Sequence, residues 1–350
     1  MSEGSRRTVT FQAPRTVEVV SDSVPDPGAG EVRVRTLMTA VSPGTERLLY
    51  QGDAPSTLQA DTEIDSLSGD LEFPLTYGYS AVGRVEKCGT GVAHRWTGQR
   101  VFAFQPHTSH FITTPAQLIP LPEEVSVADG AMIPNVETAV NLVMDGRPMM
   151  GERVAVFGQG VVGLLTTALL SRHPVACYTI EPLSARRRLS AEWGADRSFD
   201  PAEDWDLLLD VLNVSASASQ IENNDFEGAD LVYELTGTPS VLDDAISVTG
   251  FDGRVVIGSW YGKKDASLQL GGRFHRSRIQ LKSSQVSTVD PNYQGRWTKS
   301  RRMSVVLNVL ASLQPGDLVT ESRPVEEAPS IYRRLDMKEQ KILQPVFRYK

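Results

Sequence analysis

Cysteine is almost absent from this sequence: Cys88 and Cys177 are the two among 350 residues. Two thiols so far apart cannot build a disulfide framework or a four-thiolate metal site, and both read as small buried apolar residues. Basic residues are outnumbered, 35 Lys and Arg against 43 Asp and Glu, for a formal charge of -8. Nucleic acid and anionic membrane are therefore not expected as partners, because a phosphate surface demands clustered positive charge. No apolar run approaches the roughly 18–20 residues a spanning helix needs, and no leader-like apolar stretch follows the polar residues 1–7. These absences predict a soluble, cytoplasmic protein. Repeats and low-complexity tracts are lacking too. What remains is ordinary globular composition, 40% hydrophobic and 22% charged, on a chain long enough for two domains.

The first hundred residues read as short strands broken by Gly and Pro, at 8–11, 16–20, 31–40, 80–88 and 99–104. Val32, Val34 and Thr36 alternate with Arg33 and Arg35, the period of a half-buried strand. An all-β, barrel-like unit is expected. Residues 51–74 turn acidic, with Asp53, Asp61, Glu63, Asp65 and Asp70, and read as an exposed excursion or lid. From Gly151 the pattern changes to apolar strands at 154–157, 175–180, 231–235, 255–257 and 279–281, alternating with helices such as 161–171 and 184–193. Such alternation predicts a parallel sheet covered on both faces. Residues 200–227 are acidic and Ser/Asn-rich and carry no assignment. A helix at 303–313, a stop at Pro315-Gly316, a helix near 328–335 and a strand at 342–347 close the chain.

The strongest motif is Gly158-Gln159-Gly160-Val161-Val162-Gly163, directly after the apolar run Arg153-Val154-Ala155-Val156-Phe157 and opening an apolar helix. A strand, a tight turn and a helix N-terminus together present backbone N–H groups and a positive dipole end to a pyrophosphate. Gly158 permits the turn, Gly160 lets phosphate approach, and Gly163 lets the helix lie close to the strand. Glu181, ending the next strand, suits a ribose diol and repels a 2′-phosphate, which favours NAD. Arg186, Arg187 and Arg188 keep NADP possible, since guanidinium groups are what a 2′-phosphate needs. Against this stands a glycine-rich turn that binds some other ligand.

These features, with Pro25-Asp26-Pro27-Gly28-Ala29-Gly30-Glu31-Val32, Tyr77-Gly78-Tyr79-Ser80-Ala81-Val82-Gly83-Arg84-Val85, Gly98-Gln99-Arg100-Val101-Phe102-Ala103-Phe104, Gly194-Ala195-Asp196 and Tyr233-Glu234-Leu235-Thr236-Gly237-Thr238, resemble the medium-chain dehydrogenase/reductase family along nearly the whole chain. The resemblance implies an α/β protein: a Rossmann doubly wound parallel sheet plus a GroES-like, β-rich catalytic domain. The domain limits are then 1–135 for the catalytic part, 136–285 for the Rossmann part and 286–350 for the return, with substrate in the cleft between them and a homodimer as the family expectation. The family's zinc ligands fall on Pro43, Tyr79 (of Tyr79-Ser80) and Pro134, none of which suits zinc, and the four-cysteine lobe is missing. No zinc is expected. Ser42-Pro43-Gly44-Thr45-Glu46 together with Tyr77-Gly78-Tyr79-Ser80 is similar to a zinc-poor subgroup that includes bacteriochlorophyllide dehydrogenases, pointing to a bulky alcohol or ketone.

Without a metal, hydroxyls must stabilise the reacting oxygen and move its proton. The resemblance places Thr45 and Tyr79 there, the bland alternatives being a helix cap for Thr45 and an aromatic filler for Tyr79. Glu46 is expected to pair with Arg84 or Arg100, or to act as a base if buried. His107 and His110 read as exposed loop histidines. The resemblance also implies cofactor contacts from Thr138, Thr236, Ser284, Gln285 and Lys341. Arg273, His275, Arg276 and Arg278, and likewise Arg296, Lys299, Arg301 and Arg302, read as solvated or inter-subunit surface, with an anion site as the alternative. The function expected is NAD-dependent interconversion of an alcohol and a carbonyl. A second enzymatic reading is an NADPH-dependent quinone or enoyl reductase, and a reading of another class is a non-catalytic dinucleotide sensor.

Overall fold

A computed structural model describes residues 5–56, 58–59, 64–67, 69–214 and 227–350. The chain forms two compact units, Met1–Pro134 with Leu307–Lys350, and Asn135–Val306. Among the described residues no helix is long and apolar enough to cross a membrane.

The first unit opens with strands β1 (Ser5–Ala13), β2 (Thr16–Ser23) and β3 (Val32–Ala40), then helix α1 (Thr45–Gln51). Strands β4 (Leu75–Thr76), β5 (Ala81–Cys88), β6 (Arg100–Ala103), β7 (His110–Thr113) and β8 (Ile119–Pro120) follow, then helix α2 (Val127–Ala131). The alternation in β3 is that of a strand with one face in the core: Val32, Val34 and Thr36 are fully buried and Arg33 and Arg35 half-buried. Helix α1 stops at Gly52, whose φ of 79° is the left-handed turn that favours glycine.

The second unit carries α3 (Ile133–Gly146, entering it at Asn135), β9 (Arg153–Phe157), α4 (Val161–Leu170), β10 (Ala176–Ile180), α5 (Ser184–Glu192), β11 (Arg197–Phe199), α6 (Trp205–Val211), β12 (Ala229–Glu234), α7 (Val241–Val248), β13 (Thr249–Ile257), β14 (Gln280–Ser283) and the start of α8 (Lys299–Leu313). Its sheet runs β11-β10-β9-β12-β13-β14 with every pairing parallel. This is the doubly wound Rossmann order, in which the chain builds outward from β9 on one side and then crosses to start again at β12. Val154 to Phe157 are all buried, as a strand covered on both faces requires.

The chain returns to the first unit with β15 (Val319–Pro324), α9 (Ala328–Asp336) and β16 (Gln344–Arg348). Here the main sheet is ordered β15-β16-β3-β5-β6-β8, with β7 also paired to β3, and a smaller sheet runs β2-β1-β4.

Several expectations are corrected. Residues 51–74 are not simply an exposed excursion: Ala54, Leu67 and Leu71 enter the core with Tyr50, Tyr77 and Tyr332. Apolar residues placed singly among acids gave no periodic signal there. Asp61 and Glu63 lie outside the described residues. Cys177 is buried but Cys88 is partly exposed, against Thr97. Within 200–227, residues 205–211 form α6, and 215–226 lie outside the described residues. Helix α8 begins four residues early because the Thr298 hydroxyl accepts the Arg301 N–H (3.1 Å), a side-chain start signal.

Candidate functional site

The parallel register brings several of the expected cofactor residues to the C-terminal end of the second unit's sheet. Phe157 lies level with Ile180 and with Glu234, Glu234 with Ile257, and Ile257 with Ser283. The loops carrying Gly158, Glu181, Thr236 and Ser284 therefore leave the sheet at the same C-terminal level, at the point where strand order reverses between β9 and β12.

Within the glycine turn the three glycines have different physical reasons. Gly158 has φ +90°, and a Cβ there would press on the Leu235 carbonyl at 2.9 Å. A Cβ on Gly163 would sit 2.0 Å from the Gly158 carbonyl oxygen. Gly160 differs: its φ of -71° suits any residue, and a Cβ would meet nothing within 4 Å. It stands at the N-cap of α4, where no side chain caps the helix. First-turn N–H groups have no partner within their helix, and here they belong to Val161, Val162 and Gly163, which follow Gly160 directly. Gln159 turns the other way. It is fully buried, its amide donating to the Gly158 carbonyl (3.1 Å) and its Oε1 accepting from Thr167 (3.1 Å).

Glu181 is buried just past β10. One carboxylate oxygen accepts the Gln159 N–H (2.8 Å) and the other the Leu183 N–H (3.0 Å). Each oxygen keeps a lone pair, so the carboxylate is held by the glycine turn and can still accept from a ribose diol. Of the three neighbouring arginines, Arg187 is engaged, donating to the carbonyls of Glu181 and Pro182 and pairing with Asp200 at 2.9 Å. Arg186 is half-buried and Arg188 exposed.

Beside the turn lies a buried carboxylate that the sequence did not single out. Glu234, fully buried at the end of β12, accepts the Thr236 N–H (2.8 Å), the Thr236 hydroxyl and the Tyr261 hydroxyl. Burial, then the bond to Glu234, holds the Tyr261 phenol far above its ordinary range. Thr236 is thus fixed from below. Ser284 donates to Asp145 (2.7 Å) and accepts from Asn141 (3.0 Å). Gln285 is exposed and accepts the Ser287 N–H, and Thr138 is half-buried on α3. Lys341 is exposed in the turn before β16, in the first unit.

In the first unit β3 and β5 are antiparallel, with Thr39 level with Ala81. The loop leaving β3 toward Thr45 and the loop entering β5 from Tyr79 are therefore neighbours. Thr45 is the first residue of α1 and half-buried; the cap position belongs to Gly44, so Thr45 does not serve as the N-cap. Tyr79 is half-buried, edge-on to Tyr77 with centroids 6.0 Å apart. Ser80 donates to the Ala131 carbonyl (2.5 Å).

Three expectations fail here. Glu46 does not pair with Arg84 or Arg100, which donate instead to the carbonyls of Gly98 and of Pro122 and Glu123. Fully buried, it accepts the Ser42 N–H (2.7 Å), a bond from His107 Nε2 (3.0 Å) and the Tyr332 hydroxyl. His107 is no exposed loop residue; it is fully buried, with Nδ1 2.7 Å from Thr39 Oγ1, which in turn lies 3.0 Å from the Tyr349 hydroxyl. His110 is half-buried, and burial lowers its pKa. Sequence reasoning had only the Pro-His loop context, and burial of a loop histidine is decided by strands far away in the chain. Arg302 is likewise buried rather than on the surface: it donates to Glu137 (2.8 Å), Asn141 (2.5 Å) and the Thr288 carbonyl (3.2 Å). Among the described residues no three His, Cys, Asp or Glu side chains gather as a metal site.

No family model matches the chain. It is 26% identical to (R,R)-butanediol dehydrogenase of Bacillus subtilis over 244 residues, 62% of this chain and 65% of that enzyme. The chain resembles alcohol-dehydrogenase-like oxidoreductases. The short chain alcohol dehydrogenase of Escherichia coli CFT073, solved with NADH, superposes with a TM-score of 0.76 at 16% identity, covering 99% of this chain and 100% of that one. A Sinorhizobium meliloti 1021 protein bound to NADP superposes at 0.74, with 18% identity and the same coverage. These likenesses establish the fold as a Rossmann sheet joined to a GroES-like β-rich unit.

Proposed function

We propose that this protein is a zinc-independent, NAD(H)-dependent oxidoreductase that interconverts an alcohol and a carbonyl. The observation that carries the reading is Gly160, a glycine required neither by backbone conformation nor by a packed neighbour, standing at an uncapped helix N-terminus at the strand-order switch point. Such a glycine keeps clear the approach of an anion to the first-turn N–H groups. Val161, Val162 and Gly163 would hold the pyrophosphate, and Glu181 the adenosine ribose. A carboxylate fixed by the turn at that place disfavours a 2′-phosphate, which supports NAD over NADP. When bound, the nicotinamide supplies or accepts the hydride.

The chain's own chemistry falls to hydroxyl groups. By the family resemblance Pro43, Tyr79 and Pro134 fall at the zinc-ligand positions, and none offers a thiolate, imidazole or carboxylate. Thr45, whose side chain is not spent on capping α1, and Tyr79, on the adjoining loop, would donate to the substrate oxygen and pass its proton. We take the enzyme to be cytoplasmic and homodimeric, as the family resemblance implies; light scattering during size exclusion reads the subunit count.

The test is a panel of secondary alcohols, ketones and enones with NADH and NADPH. Turnover of an alcohol–ketone pair with NADH, lowered about 10²–10⁴-fold in Thr45→Val and Tyr79→Phe with nucleotide affinity kept, is the expected result. Reduction of enones alone with NADPH would instead establish the quinone or enoyl reductase. Bound, labelled nicotinamide that exchanges hydride with no substrate would favour a sensor.

A further inference from the structure

Glu46 and His107 form a fully buried titratable pair in the first unit, and neither is assigned above as a group that touches substrate. We propose that His107, hydrogen-bonded to Glu46, is the positioning residue that locks the Thr45 loop to the Tyr79 loop; this rests on the assignment of those two hydroxyls as donors.

The bridge can be followed atom by atom. On one side, Glu46 follows Thr45 directly, and its carboxylate accepts the Ser42 N–H, so it holds both ends of the loop 42–46. On the other side, the backbone N–H of His107 donates to the Tyr77 carbonyl (3.2 Å). The imidazole also packs on Gly78, where a Cβ would fall 2.8 Å from ring carbon Cδ2 and 2.9 Å from Nε2. Gly78 has φ +116°, so its conformation and the ring's closeness both require glycine. One imidazole thus touches the residue beside Thr45 and the residue beside Tyr79.

The proton arrangement follows from the partners. An ionised Glu46 only accepts, so Nε2 carries a proton toward it and the Tyr332 hydroxyl donates to it as well. Nδ1 then accepts from the Thr39 hydroxyl, whose oxygen accepts from Tyr349. Every member of the chain is satisfied in this single direction. A doubly protonated imidazole would instead leave one hydroxyl proton, that of Thr39 or of Tyr349, with no acceptor in the chain. The Nε2–H bond to Glu46, the backbone bond to Tyr77 and the packing on Gly78 fix the ring between the two loops, while the outer hydroxyls add stability. Tyr332 holds Glu46 from α9, and Thr39, itself bonded to Tyr349, holds His107 from β3.

The bonds separate under substitution. Gln at 107 can place an amide N–H where Nε2 stands and keep the Glu46 link, whereas Asn can imitate only the Nδ1 side. Thr39→Val and Tyr332→Phe remove outer partners and leave the bridge. Crystal structures should show the Thr45–Tyr79 hydroxyl separation unchanged in His107→Gln, Thr39→Val and Tyr332→Phe, and displaced by about 1 Å in His107→Asn. On the panel ketone that the wild type reduces, kcat should fall on the order of 10²-fold in His107→Asn at unchanged NADH affinity. Thr39→Val and Tyr332→Phe should melt earlier but turn over at the wild-type rate. An equal Thr45–Tyr79 separation in all variants, or kcat that merely follows melting temperature, overturns the proposal. If His107→Asn fails to fold, ¹⁵N-histidine NMR of the wild type decides: one imidazole must show a slowly exchanging Nε2–H and a non-protonated Nδ1, and its absence overturns the bridge. Insensitivity of turnover to Thr45→Val, by contrast, would remove the donor pair while leaving the bridge intact.

Discussion

A methyl group at residue 163 would meet the turn that its helix rests on, 2.0 Å from the Gly158 carbonyl oxygen, while the same methyl at 160 would meet nothing. Gly163→Ala should therefore lower the melting temperature through roughly 1–3 kcal/mol of overpacking. Calorimetry checks this, and an unchanged melt would mean that the helix can slide on the turn. The thiols differ in the same residue-by-residue way. Burial pushes the Cys177 thiol up to about 12, while Cys88 is partly exposed. A chromogenic disulfide reagent at pH 8 should react with one thiol in the native protein and with both after denaturation. Release of two equivalents from the folded chain would contradict the burial of Cys177 within β10.

At the scale of elements, the second unit ties α8 to α3 by a single buried cation. Arg302 is 1% exposed and meets Glu137 and Asn141 on α3. Burial raises the Glu137 carboxyl above its ordinary pKa, and Arg302 opposes that rise. Removing Arg302 leaves a buried carboxylate unpaired, so Arg302→Met should cost about 3–5 kcal/mol near pH 7.5. The sign with pH is fixed: the folded state would bind the Glu137 proton more tightly than the unfolded state does. Stability of the variant then falls as pH rises past the unfolded carboxylate's pKa, and its deficit against the wild type narrows on acidification. Adding Glu137→Met should restore most of the loss; a double variant no better than Arg302→Met would refute the pairing. Elements such as these also mark where the sequence was legible. Strand β9, the turn after it and α4 could be read because apolar runs, glycines and length all agree locally. Helix α8 could be read only from Met303 onward, and its arginines pointed to the surface. A charged side chain is buried by partners on other elements, and no periodicity records them. The same holds for Glu234, hidden inside a recognisable strand, and for His107, whose contacts Thr39, Glu46 and Phe347 are scattered from one end of the chain to the other.

For the whole molecule, two compact units carry the reading, and the proposed nucleotide site lies in one of them. A ligand that binds only the folded state stabilises it by mass action, about 2.7 kcal/mol at a hundred times Kd. NADH should accordingly raise the melting transition of the unit 135–306. The measurement that tests the account most directly is calorimetric titration of NADH into the wild type and into Gly160→Val. The wild type should bind NADH, and more tightly than NADPH. The variant should still fold and lose only the roughly 1 kcal/mol that a β-branched N-cap costs, because its side chain enters open space, yet bind neither nucleotide. Equal NADH affinity in the two proteins would contradict phosphate capture at this turn, and with it the enzyme assignment.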